Sequence, residues 1–344
     1  MIKKFYKNFR NILPNEAKGT LSKMAFTFSN KPFAKKDDIV REKKFPGSAS
    51  GGFIVSADFE LGWAFRYSKL NPKPIEMAEL ERRNFPYIIK ILEDYNVPIT
   101  WATVGHLMLQ QCKKGDHDWM KRIPYMDDHW RFMNGDWFDC DPYTSWEKGK
   151  HWYAPDLIEQ ILNSKIKHEI GCHTFSHIDC TYRNCPPEVI DDELKACIEA
   201  AKPWGIELKS LVFPGGTAGN YEILKKHGFQ IYRKNISIDI AYPYFDEHEL
   251  LLSPTSASFG DNGFGWSADY YIYRFKKFID KAIETGTVCH VWFHPSVDIW
   301  TLDNVLPGVI KYAAEKREEG KLWIPTMGEI ANHINKNLKD QDTY

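Results

Sequence analysis

Residues 171 to 179 read GCHTFSHID, with His173 and His177 four apart at the end of an apolar run. That spacing brings two imidazoles within reach of one centre if the chain turns into a helix or a tight loop after a strand. A divalent ion such as Zn²⁺ in a hydrolytic site takes three protein ligands, leaves a position for water and lowers the pKa of that water to about 7. A carboxylate should therefore join the histidines. In SADFELGW, residues 56 to 63, Asp58 and Glu60 stand two apart at a strand-like end, so one can bind the ion while the other takes a proton. A late histidine, His294, follows another apolar run in VWFHPSVD. Each signal also has an ordinary reading: loop histidines, a helix N-cap, a core histidine. Their conjunction at strand ends is what points to chemistry.

Those residues need strands to carry them. FIVSAD (53 to 58), PITWAT (98 to 103), HEIGCHT (168 to 174), SLVFPG (210 to 215), FQIYR (229 to 233), LLLSPTS (250 to 256) and VCHVWFH (288 to 294) read as strands. Helical periods near 76 to 95, 154 to 164, 186 to 202, 219 to 227, 269 to 285 and 303 to 319 separate most of them. Repeated βα units predict an α/β fold with a parallel sheet, closed as a barrel or open and doubly wound. Asp58, His173, Pro214 and His294 all fall at C-terminal strand ends, where parallel α/β folds collect their chemistry, and this favours the barrel.

With 344 residues, 43% of them hydrophobic, the chain can bury a large core, and a net charge of -1 argues against nucleic acid as a partner. Seven scattered cysteines without a CxxC pair predict free thiols in a reducing compartment. Cys172 and Cys180, beside the HxxxH, read as buried thiols rather than ligands. Residues 1 to 46 carry twelve Lys/Arg against Glu16, Asp37, Asp38 and Glu42. They are expected to be a solvated, partly disordered arm, the alternative being peripheral contact with an anionic membrane. No apolar run suits a signal peptide or a membrane span, so a soluble cytoplasmic protein is expected, membrane-associated at the inner leaflet if the arm engages lipid. The main domain is placed at 47 to 335 and a tail at 336 to 344. Within the domain, residues 112 to 153 are dense in Trp, Tyr, Phe and Asp without a clear period. Such an insertion fits either a carbohydrate-binding cover or a satellite hydrophobic cluster.

The combination resembles the polysaccharide deacetylase family, the NodB-homology metal-dependent carbohydrate esterases and amidases. SADFE resembles its acidic motif, HTFSH its His-(Ser/Thr)-x-x-His motif, VFPGG its Pro-centred loop and VWFHP its late histidine. The likeness spans most of residues 50 to 330 and implies a distorted (β/α) barrel. It further implies one divalent metal, Zn with Co, Ni or Fe as alternatives, held by His173, His177 and a carboxylate of the first motif. Many members carry two adjacent aspartates there, whereas this chain has Phe59 at the second position. A related acid-x-acid subgroup implies Asp58 as base and Glu60 as ligand, with the reverse assignment open. His294 would protonate the leaving amine, and the loop at Pro214 and Gly215 would hold substrate and offer a backbone N–H to an oxyanion. Gly215 and Gly216 replace the arginine or aromatic that often accompanies the proline. Trp63 and Arg66, close to Asp58, are expected substrate contacts.

The function these features imply is removal of an N-acetyl group from a sugar, an intermediate of surface polysaccharide assembly on a lipid or nucleotide carrier. A small-molecule amidohydrolase on the same fold and a catalytically silent carbohydrate-binding protein are the alternatives.

Overall fold

The computed structural model describes residues 45–66, 73–123, 138–234, 240–260 and 265–341, with short pieces at 14, 17–21, 23–24 and 136. Most of the basic arm, and with it the expected membrane contact, lies outside the described residues. So does the middle of the aromatic insertion, 124–135.

The main strands run parallel: β1 (Gly51–Phe59), β2 (Thr100–Thr103), β3 (Glu169–Cys172), β4 (Ser210–Val212), β5 (Ile231–Lys234), β7 (Leu251–Pro254) and β9 (Val288–Phe293). Short strands β6 (Tyr244–Phe245), β8 (Ala257–Phe259) and β10 (Leu322–Trp323) complete one sheet in the order β6-β7-β5-β4-β3-β2-β1-β9-β8, with β10 on β1. Around it lie α1 (Pro74–Asp94), α2 (Pro155–Leu162), α3 (Pro187–Ala201), α4 (Tyr221–Lys226), α5 (Ala268–Thr285), α6 (Ile299–Asn304), α7 (Leu306–Glu318) and α8 (Met327–Gln341).

The sheet curls into a half-barrel, and the seam has a covalent bridge. Residues 251–259 are one extended segment, bent at Thr255 and Ser256. Its first half pairs with β5 and its second half with β9. The bend is held by Ser256, whose N–H donates to the His290 carbonyl at 2.7 Å while its Oγ accepts from the His290 N–H at 3.1 Å.

Period-two alternation sorts the side chains. On β1, Phe53, Val55, Ala57 and Phe59 join the core beneath the helices, while Ile54 packs in a second cluster with Ala102, Val212, Ile231, Leu251 and Val288. That inner cluster is plugged by Met327, Ile330, Ala331 and Ile334 of α8, which starts against the N-terminal ends of the strands through Met327 N–H to Thr100 Oγ1 (2.8 Å) and Gly328 N–H to Glu169 (2.8 Å). The expected domain end at 335 therefore falls inside α8. That amphipathic helix was missed because its apolar residues are spread thinly among polar ones in the sequence. At the other end Phe45 packs edge-on against Tyr242 (5.4 Å), so the last part of the arm belongs to the barrel. Near the start of α5 the Trp266 indole N–H donates to the Gly19 carbonyl at 3.0 Å, which ties a second piece of the arm to the domain.

The 303–319 helix is divided: α6 ends before Val305, and α7 begins at Leu306 with Pro307 in its first turn. None of the seven cysteines forms a disulfide. No helix among the described residues is long and apolar enough to cross a membrane.

Phe85 of α1 lies between Phe59 (5.1 Å) and Trp101 (4.6 Å) and is fully buried. Phe85→Ala should cost about 3–5 kcal/mol in urea denaturation. Tyr87→Ala on the exposed side of the same helix should stay within about 0.5 kcal/mol.

Candidate metal and catalytic site

Going up the inner face of β1, the alternation that buries Ile54 next presents Ser56, then Asp58, and just beyond the strand Glu60. Phe59 points the other way, into Phe85 and Trp101. Its neighbours explain the departure from two adjacent acids: residue 59 faces the helix layer, so residues 58 and 60 are the pair that can share a site.

Four strands away in the sheet order, Arg233 of β5 reaches Asp58 with both guanidinium arms, Nη1 to Oδ1 at 2.6 Å and Nη2 to Oδ2 at 2.7 Å. Strands are spaced about 4.8 Å apart, so four steps along a flat sheet would be about 19 Å, beyond the combined reach of the two side chains. Curling is what permits the contact. Nη1 also donates to Ser56 Oγ (2.9 Å), which meets His290 Nε2 (2.9 Å), whose Nδ1 lies 2.8 Å from Ser253 Oγ on β7. Burial opposes the charge of Asp58, but the Arg233 guanidinium, helped by His173 and His294, holds its carboxyl below the usual carboxylate range. Burial, with Arg233 nearby, keeps His290 well below the ordinary imidazole range, hence neutral.

The HTFSH segment follows β3 as an irregular loop. Thr174 and His177 adopt left-handed φ values of 57° and 56°, a conformation that costs a non-glycine residue roughly 1–2 kcal/mol. Tertiary contacts offset that cost: Glu193 of α3 accepts from the Ser176 N–H (2.8 Å) and hydroxyl (2.5 Å), and Thr174 Oγ1 accepts from the Ile178 N–H (3.2 Å). The result swings both histidines onto Glu60, whose Oε2 is 3.2 Å from His173 Nε2 and 3.0 Å from His177 Nε2, with all three residues buried.

This donor set fits a divalent cation. His173 Nδ1 lies 2.8 Å from the Val212 carbonyl, which can only accept, so Nδ1 carries the proton and Nε2 turns a lone pair toward the carboxylate. A cation between them resolves that opposition. The separations are near the roughly 3.3 Å edges of a tetrahedron built on Zn–N and Zn–O bonds of about 2.0–2.1 Å. Burial works against Glu60, yet His294 and His177 hold its carboxyl well below the usual range. Glu81 of α1 positions it by accepting the N–H groups of Glu60 (3.2 Å) and of Leu61 (3.1 Å). Burial and the charge of Glu60 push Glu81 well above the usual range.

His294 follows β9, with Nε2 at 3.4 Å from Glu60 Oε1 and 3.9 Å from Asp58 Oδ2. Its side chain is 40% exposed, whereas those of Asp58, Glu60, His173 and His177 are all below 10%, so the cluster meets solvent at this histidine. Asn84 fixes the turn behind it by donating to the carbonyls of Pro295 (2.8 Å) and Val297 (2.9 Å). Pro214, after β4, is buried, and Gly215 and Gly216 beside it are exposed with φ of 57° and 71°. The backbone itself calls for glycine at these two positions.

Trp63 and Arg66 are placed differently from the substrate contacts expected of them. Trp63 is fully buried, with its indole N–H on the Trp152 carbonyl (3.0 Å) and its ring against His106 and Phe138. Arg66, also buried, donates to the carbonyls of Trp63 and Ser176. Both pack and brace the loops behind the site. Arg233 and Glu81 were missed in the sequence. The signal for Arg233 was a lone cation closing an otherwise apolar strand.

The sequence model of the polysaccharide deacetylase family matches residues 75–232. Over that segment the chain resembles the polysaccharide deacetylases. The matched segment holds His173, His177 and Pro214, while Asp58, Glu60, Arg233 and His294 lie outside it. Similar solved structures include one from Mycobacterium smegmatis named as a candidate polysaccharide deacetylase, with 14% identity, TM-score 0.60, and 89% of this chain and 95% of that one covered. Another is described as a probable polysaccharide deacetylase from Pseudomonas aeruginosa PAO1 (15%, 0.59, 87% and 95%). A third is the Puue allantoinase (15%, 0.57, 88% and 97%). At these identities the likeness shows the fold, and it is the distorted barrel of the NodB-homology type. No curated protein matches the sequence.

If Arg233 and Asp58 form one buried unit, removing either partner alone should destabilise the protein by about 3–5 kcal/mol. The Arg233→Ala/Asp58→Ala double variant should lose clearly less than the sum. Urea denaturation of the four proteins gives the coupling energy, and a value near zero would refute the pairing.

Proposed function

We propose that the protein is a metal-dependent hydrolase that removes an N-acetyl group from a sugar. The observation carrying this reading is the convergence of Glu60, His173 and His177 on one point, with His294 3.4 Å from Glu60 and 3.9 Å from Asp58. A divalent ion held by Glu60, His173 and His177 would polarise the acyl carbonyl and acidify a water at neutral pH.

The chain's own groups supply the proton traffic. Asp58, kept ionised and oriented by Arg233, accepts a proton from the attacking water at a carboxylate oxygen. His294, at the solvent side, delivers a proton to the departing sugar nitrogen, and imidazole suits that task near neutral pH. The exposed glycine turn at Gly215 and Gly216 lets substrate approach the backbone closely. We assign Glu60 as the ligand and Asp58 as the base because Glu60 touches both imidazoles while both oxygens of Asp58 are occupied by Arg233.

The cationic balance of residues 1 to 46 supports a substrate carried on an anionic lipid or nucleotide at a surface-polysaccharide assembly step. Fold similarity to an allantoinase at a comparable TM-score keeps a second reading in view, hydrolysis of a small cyclic amide at the same residues.

The purified protein should release acetate from N-acetylated oligosaccharides and lose this activity on chelation. Asp58→Asn and His294→Ala should each lower kcat by about 10²–10⁴-fold. His173→Ala and His177→Ala should lose one equivalent of metal by mass spectrometry while staying folded. Turnover of small cyclic amides without acetate release from sugars would transfer the assignment to the second reading.

A further inference from the structure

A second group of ligating side chains lies away from the rim cluster. His106 sits in the turn after β2, and Cys112, His117 and Asp141 come from the aromatic insertion that follows. All four are buried, and one donor atom from each lies within 4.8 Å of the others. His106 Nε2 is 2.9 Å from Asp141 Oδ2, 3.2 Å from His117 Nε2 and 3.7 Å from Cys112 Sγ. Cys112 Sγ is 3.0 Å, and His117 Nε2 3.8 Å, from the same Asp141 oxygen. A tetrahedral Zn²⁺ with bonds of about 2.0–2.3 Å has ligand–ligand edges of about 3.3–3.6 Å, and these five separations straddle that range.

With His106 neutral, hydrogen bonding alone leaves the group inconsistent. His106 Nδ1 faces the Trp152 carbonyl at 3.3 Å, so it carries the ring proton, and Nε2 presents a lone pair. That lone pair confronts a carboxylate oxygen at 2.9 Å, acceptor against acceptor. The surroundings are those of oriented ligands. The other Asp141 oxygen accepts from Tyr153 OH (2.6 Å) and from the Tyr143 N–H (3.0 Å), and His117 stacks on Phe138 at 4.9 Å.

We propose that His106, Cys112, His117 and Asp141 form a second metal site, a closed structural Zn²⁺ centre that pins the aromatic insertion to the barrel. One thiolate, two imidazoles and a carboxylate suit Zn²⁺, and four protein ligands leave no open position for catalysis. His117 also lines a cavity of about 470 Å³ with Met108, Trp119, Phe175 and Trp204, which provides a route for the ion. The centre sits behind the rim cluster. The N–H groups of Gly105 and His106 donate to the carbonyls of Thr174 (2.9 Å) and Phe175 (3.0 Å), inside HTFSH, so the ion would stiffen the loop that aims His173 and His177. The spacing His-x5-Cys-x4-His-x23-Asp matches no compact motif, which is why the sequence did not reveal it.

Cobalt separates the two sites, because the rim cluster contains no sulfur. The full chain, stripped of metal and reloaded with Co²⁺, should bind two equivalents and show a thiolate-to-cobalt charge-transfer band in the near ultraviolet. The His173→Ala/His177→Ala variant should keep one equivalent and the band. Cys112→Ala should lose the band and become susceptible to limited proteolysis within 109–153. A parent chain that takes up Co²⁺ without that band overturns the proposal, and so does one that binds no metal. The parent spectrum decides even if the Cys112 variant does not fold. A single equivalent accompanied by the band would uphold this centre while removing the catalytic metal, so the two readings fail separately.

Discussion

Two carboxylates, Asp58 and Glu60, lie on the inner side of one strand end and are both withdrawn from water. Two like charges at that distance, each desolvated, are tolerable only if positive or proton-donating groups reach them from elsewhere. Much of the barrel's architecture follows from that condition. Arg233 answers Asp58 with a two-armed ion pair, and His177 and His294 flank Glu60. The answering groups stand at the C-terminal ends of three strands, Arg233 on β5, His177 after β3 and His294 after β9, where inward positions of separate strands converge. Separating the two acids by Phe59 is part of the same solution, because alternation along the strand sends the intervening residue into the helix layer.

Curvature makes that convergence possible. The interior changes character along its axis, from the apolar layer of Ile54, Ile231, Leu251 and Val288 sealed by α8, through the polar layer of Ser56, His290, Ser253 and Arg233, to the acids and histidines at the rim. In the middle layer the hydroxyls of Ser56 and Ser253 bond to the His290 imidazole, and the same layer carries the guanidinium that must remain in place under Asp58. The bend at Thr255 and Ser256 lets one segment pair with β5 and then with β9, which draws the two sides of the sheet close enough for His290 to meet Ser253.

Behind the rim, strained backbone is held by buried polar contacts. Leu61, Thr174 and His177 have positive φ, and Glu81 and Glu193 hold the segments that contain them. The aromatic insertion adds a further layer. In its described parts it packs with the main core through Cys112, Met120, Phe138 and Tyr153, so burial accounts for much of its aromatic content. Trp63 packs at a tilt against His106 and thereby links the acidic loop to the His106, Cys112, His117 and Asp141 cluster.

The amino-acid sequence by itself determined the βα alternation, the strand ends and the identity of the acids and histidines. These properties follow from local periodicity and from residue type, which short windows contain. The same windows read α5 nearly to its ends, yet ran α6 and α7 together and left α8 unseen, because a thinly spread apolar face gives little contrast. What the tertiary structure alone decided are the pairings between distant residues. Asp58 and Arg233 are 175 positions apart, and His106 and Asp141 meet across an insertion without a period. The burial of Trp63 and Arg66 was decided in the same way. Whether a side chain near Asp58 faces the open rim or packs behind it depends on how the sheet curls and on which loops return over it. Those long-range contacts leave no trace in the residues' own neighbourhoods.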